Sequence, residues 1–437
     1  MAGRLTLIKA VLSSVPVHSM SSIILPQSTL ANLDRVSRSF LWGSSVEKRK
    51  PHLLSWKKVC RSKKEGGLGI RASKDMNLAL IAKVGWRLLK DDHSLWARVL
   101  KKKYRVGDLR EQSWLKPKSN WSILWRGVAK GIREVVVPGH RWIAGDGGQI
   151  RFWSDTWLSD RPLGDQAVVE LPPMASSVLV KDVWRDGAGW DLASIEPFLS
   201  ENSKLELMAV VVDHVTGASD RLAWKGNADG EFSVTSAYQL VTRETLPLPN
   251  MESFFDRVWR VAVPERVRVF IWLVSQQVIM TNVERRRRHL SDTDVCSVCK
   301  GDFETLIHIL RDCPAMLGIW ERIVPTRKRH QFFSQTLLEW VFDNLQLETN
   351  VEEPPWSIMF AMGVWWGWKW RCGNVFGEKR LCRDRVQFVK ELAAEVWRAN
   401  KASGQHVAPR ARVERQIGWE FPNSGWFKLN TDGASPW

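Results

Sequence analysis

The eighteen residues from Cys296 to Cys313, CSVCKGDFETLIHILRDC, hold three of the chain's six cysteines and one histidine. Their order is Cys296-x2-Cys299-x8-His308-x4-Cys313. Nothing else in the sequence restricts folding so tightly, because four side chains that share one ion tie separate stretches of backbone to a point. Two cysteines two residues apart can aim both sulfurs at one ion from a tight turn. Three thiolates and an imidazole are a standard closed tetrahedral set for Zn²⁺. Gly301 suits the turn after Cys299, and DFETLIHIL can begin a helix with Asp302 near its positive end. His308 projects from that helix. Cys313 precedes Pro314, where helical backbone is disfavoured, so it marks the helix end and can fold back to the ion. With four protein ligands no position stays open for water, which makes such a zinc structural. Two other readings compete: small buried cysteines beside a satisfied core histidine, and a redox Cys-x-x-Cys. The complete four-ligand order favours metal over the first, and the lack of a thioredoxin-like strand–helix pattern argues against the second.

Charge points to an anionic partner. The chain has 64 Lys and Arg against 47 Asp and Glu, a net charge of +17 over 437 residues. RVLKKKYR (98–105), ERRRRH (284–289) and RKRH (327–330) concentrate it. Solvated helix faces explain any single run, but three runs at a pI near 9.8 favour nucleic acid. Lys101, Lys102 and Lys103, with Arg285, Arg286, Arg287 and Arg288, are the candidate phosphate contacts, nonspecific and steeply salt-dependent. The 26 tryptophans, against two tyrosines, read first as core residues, since indole burial dominates packing, and only second as base-stacking platforms. Cys60, Cys372 and Cys382 match no disulfide framework, so a reducing, intracellular setting is expected. AVLSSVPV near the N-terminus is too short and broken for a signal peptide. Trp356 to Trp368 is thirteen residues without a charge, short of the about 20 a membrane span needs.

The pattern predicts a mainly α chain with small β elements, of α+β class. LTLIKAVLSSV and NLALIAKVGWRLL carry helical apolar spacing, interrupted by EGGLGI (65–70). GDGGQIRFWSDTWL (145–158) reads as a turn and then a short strand in which Ile150, Phe152 and Ser154 alternate with Arg151 and Trp153. GNADGEFSVTSAYQLV (226–241) reads as an Asp-Gly turn, a β-prone run and a helix capped by Ser233 or Thr235. Pro264 suits a first helical position, with Val267, Phe270, Ile271 and Val274 on one face. PPWSIMFAMGVWWGWKWR is a helix with tryptophan nearly all round, and NKASGQHVAPRAR (400–412) is a linker.

GEFSVTSAYQLV, VWRVAVPERVRVFIWLV and the cysteine cluster with its flanking tryptophans resemble the zinc-binding domain that follows the reverse transcriptase in plant non-LTR (LINE-type) retrotransposon polyproteins. AGRLTLIKAVLSSVPVHSM and KKEGGLGIRASKDMNLALIAKVGWRLL look like the segment downstream of the polymerase core. GWFKLNTDGASPW is similar to the opening strand of an RNase H domain, with Asp432 at its first catalytic carboxylate. The resemblance implies five segments: 1–110, a helical post-polymerase segment; 111–229, a tryptophan-rich linking region with short strands; 230–325, the zinc-binding domain; 326–420, helical and linker; and 421–437, the start of an RNase H-like domain. It also implies nucleic acid as partner, RNA or DNA, with polymerase or RNase H domains acting in trans and a nuclear location. Polymerisation needs an aromatic-x-Asp-Asp motif to hold two metal ions. Tyr104 and Tyr238 precede no such pair, so the chain by itself is not expected to polymerise. Hybrid cleavage needs several carboxylates around two Mg²⁺, and Asp432 stands alone, so Mg²⁺ is expected only with a complete RNase H domain. The expectation is therefore a non-catalytic zinc- and nucleic-acid-binding protein, with ribonuclease H activity and a protein-interaction role as the alternatives.

Overall fold

The computed structural model describes residues 1–45, 47–185, 189–212, 218–242, 251–346, 354–377 and 384–405. Helix dominates, as the apolar spacing predicts. α1 (Ala2–Leu7) runs on through a wider π-helical turn, Ile8–Leu12, and is followed by α2 (Val17–Ser22). α3 (Gln27–Trp42) ends at Gly43, whose φ of 76° is left-handed. α4 (Trp56–Cys60) is capped by the Ser55 hydroxyl, which accepts the Lys58 N–H. The glycine-rich stretch 65–70 is a loop, as expected, and separates α4 from α5 (Ser73–Lys90). α6 (Leu95–Tyr104), α7 (Ile123–Gly131) and α8 (Val137–Gly139) follow.

The linking region is short elements and turns: β1 (His140–Ile143), β2 (Trp184–Arg185), β3 (Gly189–Trp190), α9 (Leu192–Ile195), α10 (Glu201–Met208) and β4 (Arg221–Trp224). β1 pairs antiparallel with β4, His140 opposite Trp224, and β2 pairs with β3. The strand expected at Ile150–Ser154 does not form. Only a single bridge, Arg151 to Leu179, is made there. Ile150, Phe152 and Trp153 are all buried, so no face alternates. What shapes this loop is a distant carboxylate. Asp220, buried, accepts the N–H groups of Gly145 and Gly147 on one oxygen (2.8 and 3.0 Å) and of Gln149 and Ile150 on the other (2.7 and 3.2 Å). Gly147 takes a φ of 67°, which lets the chain curl around it. A glycine-rich loop that could have cradled a foreign anion is thus filled by the chain's own side chain.

α11 (Val234–Thr242) starts beyond Ser233, whose hydroxyl accepts the Ser236 N–H at 3.1 Å, so Ser233 rather than Thr235 is the cap. α12 (Met251–Arg260) precedes α13 (Glu265–Ser275). Pro264 stands one residue before α13 rather than inside it, and Val267, Phe270, Ile271 and Val274 are buried together. α14 (Asn282–Arg287), α15 (Pro314–Ile323), α16 (Thr326–Ser334), α17 (Leu337–Asn344), α18 (Trp356–Phe376) and α19 (Arg385–Gln405) complete the chain.

Three main cores result. One combines α5, α6, α7 and α11 around Trp86, Trp125 and Trp224. A second holds the linking region around Phe152, Trp153 and Trp157. The largest joins Leu5, Ile8, Leu41 and Val59 of the first helices to α12, α13 and α15–α19, with Cys296 and Cys313 inside it. Tryptophan serves these cores: Trp125, Trp224, Trp272, Trp320 and Trp340 are fully buried. α18 buries residues on several sides, Ile358, Phe360, Met362, Val364 and Trp370 among them. A Cβ on Gly363 would come within 2.6 Å of the Trp320 ring, so glycine there sets how closely α15 and α18 approach. Among the described residues no helix is long and apolar enough to cross a membrane.

Candidate metal centre

The first two cysteines sit on a small knuckle. Val295 bridges antiparallel to Phe303, and the Cys296 N–H reaches the Asp302 carbonyl at 2.8 Å. Lys300 donates its N–H back to the Cys296 carbonyl at 2.9 Å, closing the turn. Lys300, not Gly301, takes the left-handed conformation, at φ 58°. Gly301 contributes differently: its N–H bonds the Cys299 sulfur. The helix carrying His308 begins later than the sequence suggests. Thr305 caps it, its hydroxyl accepting the His308 N–H at 3.2 Å. Asp302 lies ahead of that helix, and its carboxylate stands 4.0 Å from His308 Nδ1, behind the ring.

His308 and Cys313 are five residues apart, which on a regular α-helix points them about 140° away from each other. The helix meets this by widening. His308–Asp312 is a π-helical turn, and the Cys313 N–H reaches back five residues to the His308 carbonyl at 2.6 Å. Such widened turns concentrate at functional sites. Cys313 then leaves helical backbone (φ −57°, ψ 134°) and caps α15, with Pro314 next.

The four ligand atoms of Cys296, Cys299, His308 and Cys313 all lie within 4.8 Å of one another, and Cys299 Sγ is 3.4 Å from His308 Nε2. A tetrahedral zinc with its usual bond lengths sets sulfur and nitrogen about 3.5 Å apart. Donor set and spacing therefore fit the ion. Cys296 and Cys313 are fully buried and His308 nearly so. Burial pushes the Cys296 thiol up and Cys313 to about 12, while the Gly301 N–H leads in drawing Cys299 down to about 7. A dication is what lets such a cluster carry several thiolates together.

Two residues that hold this centre in place were not picked out as site residues. Glu304, fully buried, bonds Arg371 of α18 and accepts the Asn282 N–H at 3.0 Å. Arg371 is itself buried and lies 5.0 Å over the Trp368 ring. This pair bolts the knuckle to α18. An arginine following Lys369 at the end of a tryptophan-rich run was the signal for it. Arg311, also buried, donates to the Phe332 and Gln335 carbonyls and pairs with Asp312 at 2.5 Å.

The candidate phosphate contacts lie in two places and are largely engaged. Lys101 pairs with Asp92 at 2.5 Å, and Lys103 lies 5.4 Å over the Tyr104 ring. Arg286 pairs with Asp294 at 2.5 Å, while Arg287 and Arg288 share Glu284 at 2.6 and 2.5 Å. Arg285 reaches the Asn282 side chain and the Leu290 carbonyl at 3.4 and 3.5 Å. Lys102 is exposed. Asp432, Cys382 and the strand expected at 421–437 fall outside the described residues.

A knuckle, a widened helical turn and a Cys₃His cluster within a helical bundle define a zinc-binding domain of the kind attached to reverse transcriptases, and residues 232–320 match the family described as zinc-binding in reverse transcriptase. The chain is 58% identical over 434 residues to an Arabidopsis thaliana protein provisionally named a ribonuclease H protein, covering 99% of this chain and 70% of the relative. It is 30% identical over 162 residues to an uncharacterized mitochondrial protein of Arabidopsis thaliana, covering 37% of this chain and 99% of that one. The chain belongs to the plant non-LTR retrotransposon polyprotein family.

Proposed function

We propose that Cys296, Cys299, His308 and Cys313 hold one structural Zn²⁺, and that the chain is a non-catalytic nucleic-acid-binding part of a retrotransposon polyprotein. The convergence of those four donors within 4.8 Å carries the reading. All four positions come from the protein, which leaves the ion an organising role and no site for substrate water. The net charge of +17 supports a polyanionic partner, RNA or DNA, held by phosphate contacts without base readout. Other polyprotein domains, polymerase or RNase H, are partners in trans under the same reading, and the nucleus is its setting. Elemental analysis of purified protein tests the metal: one zinc per chain is expected, lost in Cys313→Ala. Zinc-free protein with unchanged thermal unfolding would overturn it. Binding titrated against salt tests the partner, and a flat response sinks that half.

A second reading, ribonuclease H activity on RNA–DNA hybrids, is favoured by the name of the Arabidopsis relative. Hybrid cleavage with Mg²⁺, abolished by Asp432→Asn, would establish it in place of the non-catalytic reading.

A further inference from the structure

The distribution of paired and unpaired charge separates one face from the rest. Residues 1–72 hold thirteen Lys and Arg against three Asp and Glu, more than half the net charge in a sixth of the chain. Elsewhere, basic residues repeatedly meet acidic partners, as Arg110 does with Asp108 and Asp155 and Arg288 with Glu284. Among the described residues, by contrast, no ion pair engages any of the thirteen. The few acids present are used otherwise. Asp34 accepts the Ser73 N–H at 3.0 Å, and Glu65 accepts the Ser62 N–H at 3.1 Å.

These cations share a surface. Lys9, in the π-helical turn after α1, sits 3.4 Å from where a Gly69 side chain would begin, and Lys63 is near enough to oppose its charge. Arg4 packs against Gly43 at the end of α3, next to the exposed 48–50 triplet, whose Lys50 N–H bonds Ser44. Lys57 and Lys58 project from α4, and Lys63 and Lys64 from the turn behind it. Burial first and then the charge of Lys63 lower the Lys9 ammonium, with Glu265 acting against them from beyond ion-pair distance. Beside it opens a cleft of about 580 Å³, with Met20, Leu33 and Ile70 among its walls and Lys9 and Arg71 also lining it. Asp34 also lines the cleft, Arg71 donates to the Thr235 hydroxyl and Lys63 lies over the Trp259 ring, so these cations are bound by neutral groups rather than paired with acids. A largely apolar slot next to cations without acidic partners suits an unpaired base with its phosphates outside.

We infer that this face, carried by Lys9, Lys48, Arg49, Lys50, Lys57, Lys58, Lys63, Lys64 and Arg71, is where a single-stranded nucleic acid binds. The inference rests on the nucleic-acid reading above and gives it a location apart from 101–103, while Arg288 adjoins the face through the His52 and Leu53 carbonyls but is already paired with Glu284. Charges already satisfied within the fold gain little from a phosphate, because binding one means giving up an existing partner. Free cations release condensed counterions without that loss.

The intact chain is tested with a fluorescent random-sequence 20-nucleotide RNA, the same DNA strand, and a blunt duplex of equal length, over a range of salt. One variant changes Lys48, Arg49, Lys50, Lys57, Lys58, Lys63 and Lys64 to Gln. A second changes Lys102, Lys103, Arg286 and Arg287 to Gln. Circular dichroism and zinc content check that both fold. The first variant is expected to lose at least 30-fold in single-strand affinity at moderate salt and to show a shallower salt slope, each lost phosphate contact removing about 0.7. The second is expected to change affinity less than threefold. A first variant within threefold of the parent, or a second that loses more than the first, overturns the location. Charge density alone favours a duplex, so equal or tighter duplex binding overturns the single-strand assignment. If the intact chain binds none of the probes at low salt, the nucleic-acid reading itself fails, a result distinct from either variant outcome.

Discussion

The knuckle at 295–313 and the loop at 145–150 solve one problem in opposite ways. The loop and the turn that carries the first two cysteines are irregular, with too little regular hydrogen bonding to hold themselves, and both regions converge on a charge. The knuckle gathers side-chain sulfurs and an imidazole, a set suited to a cation from outside. The loop gathers four backbone N–H groups around an anion that the chain supplies itself, the Asp220 carboxylate. The lesson is that a segment without helix or sheet is ordered by whichever ion its exposed dipoles or ligands select. A loop of N–H groups selects a carboxylate, and a cluster of thiolates selects a metal.

A strong chelator should separate the two regions most sharply. Structural zinc contributes on the order of 10 kcal/mol in small zinc domains. Hydrogen exchange is therefore expected to show loss of protection through 282–320 after zinc removal, while 140–160 and 218–230 stay protected. Equal loss in both would break the distinction, and no loss in either would remove the metal from the account. Next in size is Arg371→Met, which leaves the Glu304 carboxylate buried without its partner at a cost of about 3–5 kcal/mol. Denaturant unfolding should show this, with partial recovery when Glu304→Gln is added. If the double variant is no better than the single, the pair does not anchor the knuckle.

Asp220→Ala should act on the other side of the comparison. It strips the acceptor from four N–H groups, and a charge-assisted bond of this kind contributes about 1.5–3 kcal/mol. A loss of about 3 kcal/mol is expected, with zinc content unchanged. Exchange protection should fall at 145–150 rather than at the knuckle. The smallest effect is in pH. The Arg287 and Arg288 guanidiniums hold the Glu284 carboxyl below its usual 4.5. A depressed folded-state pKa stabilises above the unfolded value and is lost as pH falls through the folded one. Stability measured downward from pH 5 should therefore decline more steeply in the parent than in Glu284→Gln. Parallel curves would mean that Glu284 stabilises no more than a surface pair.

Much of this was legible in residue order because it is local. The ligand spacing, the Ser233 cap, the glycine break at 65–70 and the buried face of α13 each depend on residues within a turn or two of one another. The failures were equally physical. Ile150–Ser154 alternates like a strand, yet its first N–H is claimed by a carboxylate 70 residues on, the next by the Asp155 side chain, and its apolar side chains all turn inward. Asp302 was expected in the first turn of the His308 helix, but Thr305 caps that helix instead. The five-residue step from His308 to Cys313 is wrong for an α-helix, and only a widened turn reconciles it.

The order of residues alone was enough to set the donor chemistry, the helical periods and the excess of positive charge, since these are properties of side-chain type and short spacing. The tertiary structure decided which charges are spent and which are free. Glu304 meets Arg371 across 67 residues, Arg288 reaches the Leu53 carbonyl across 235, and among the described residues no ion pair engages the thirteen cations of the first 72. Electrostatic pairing is a matter of distance in space, and only folding brings residues so far apart in the chain within reach of each other.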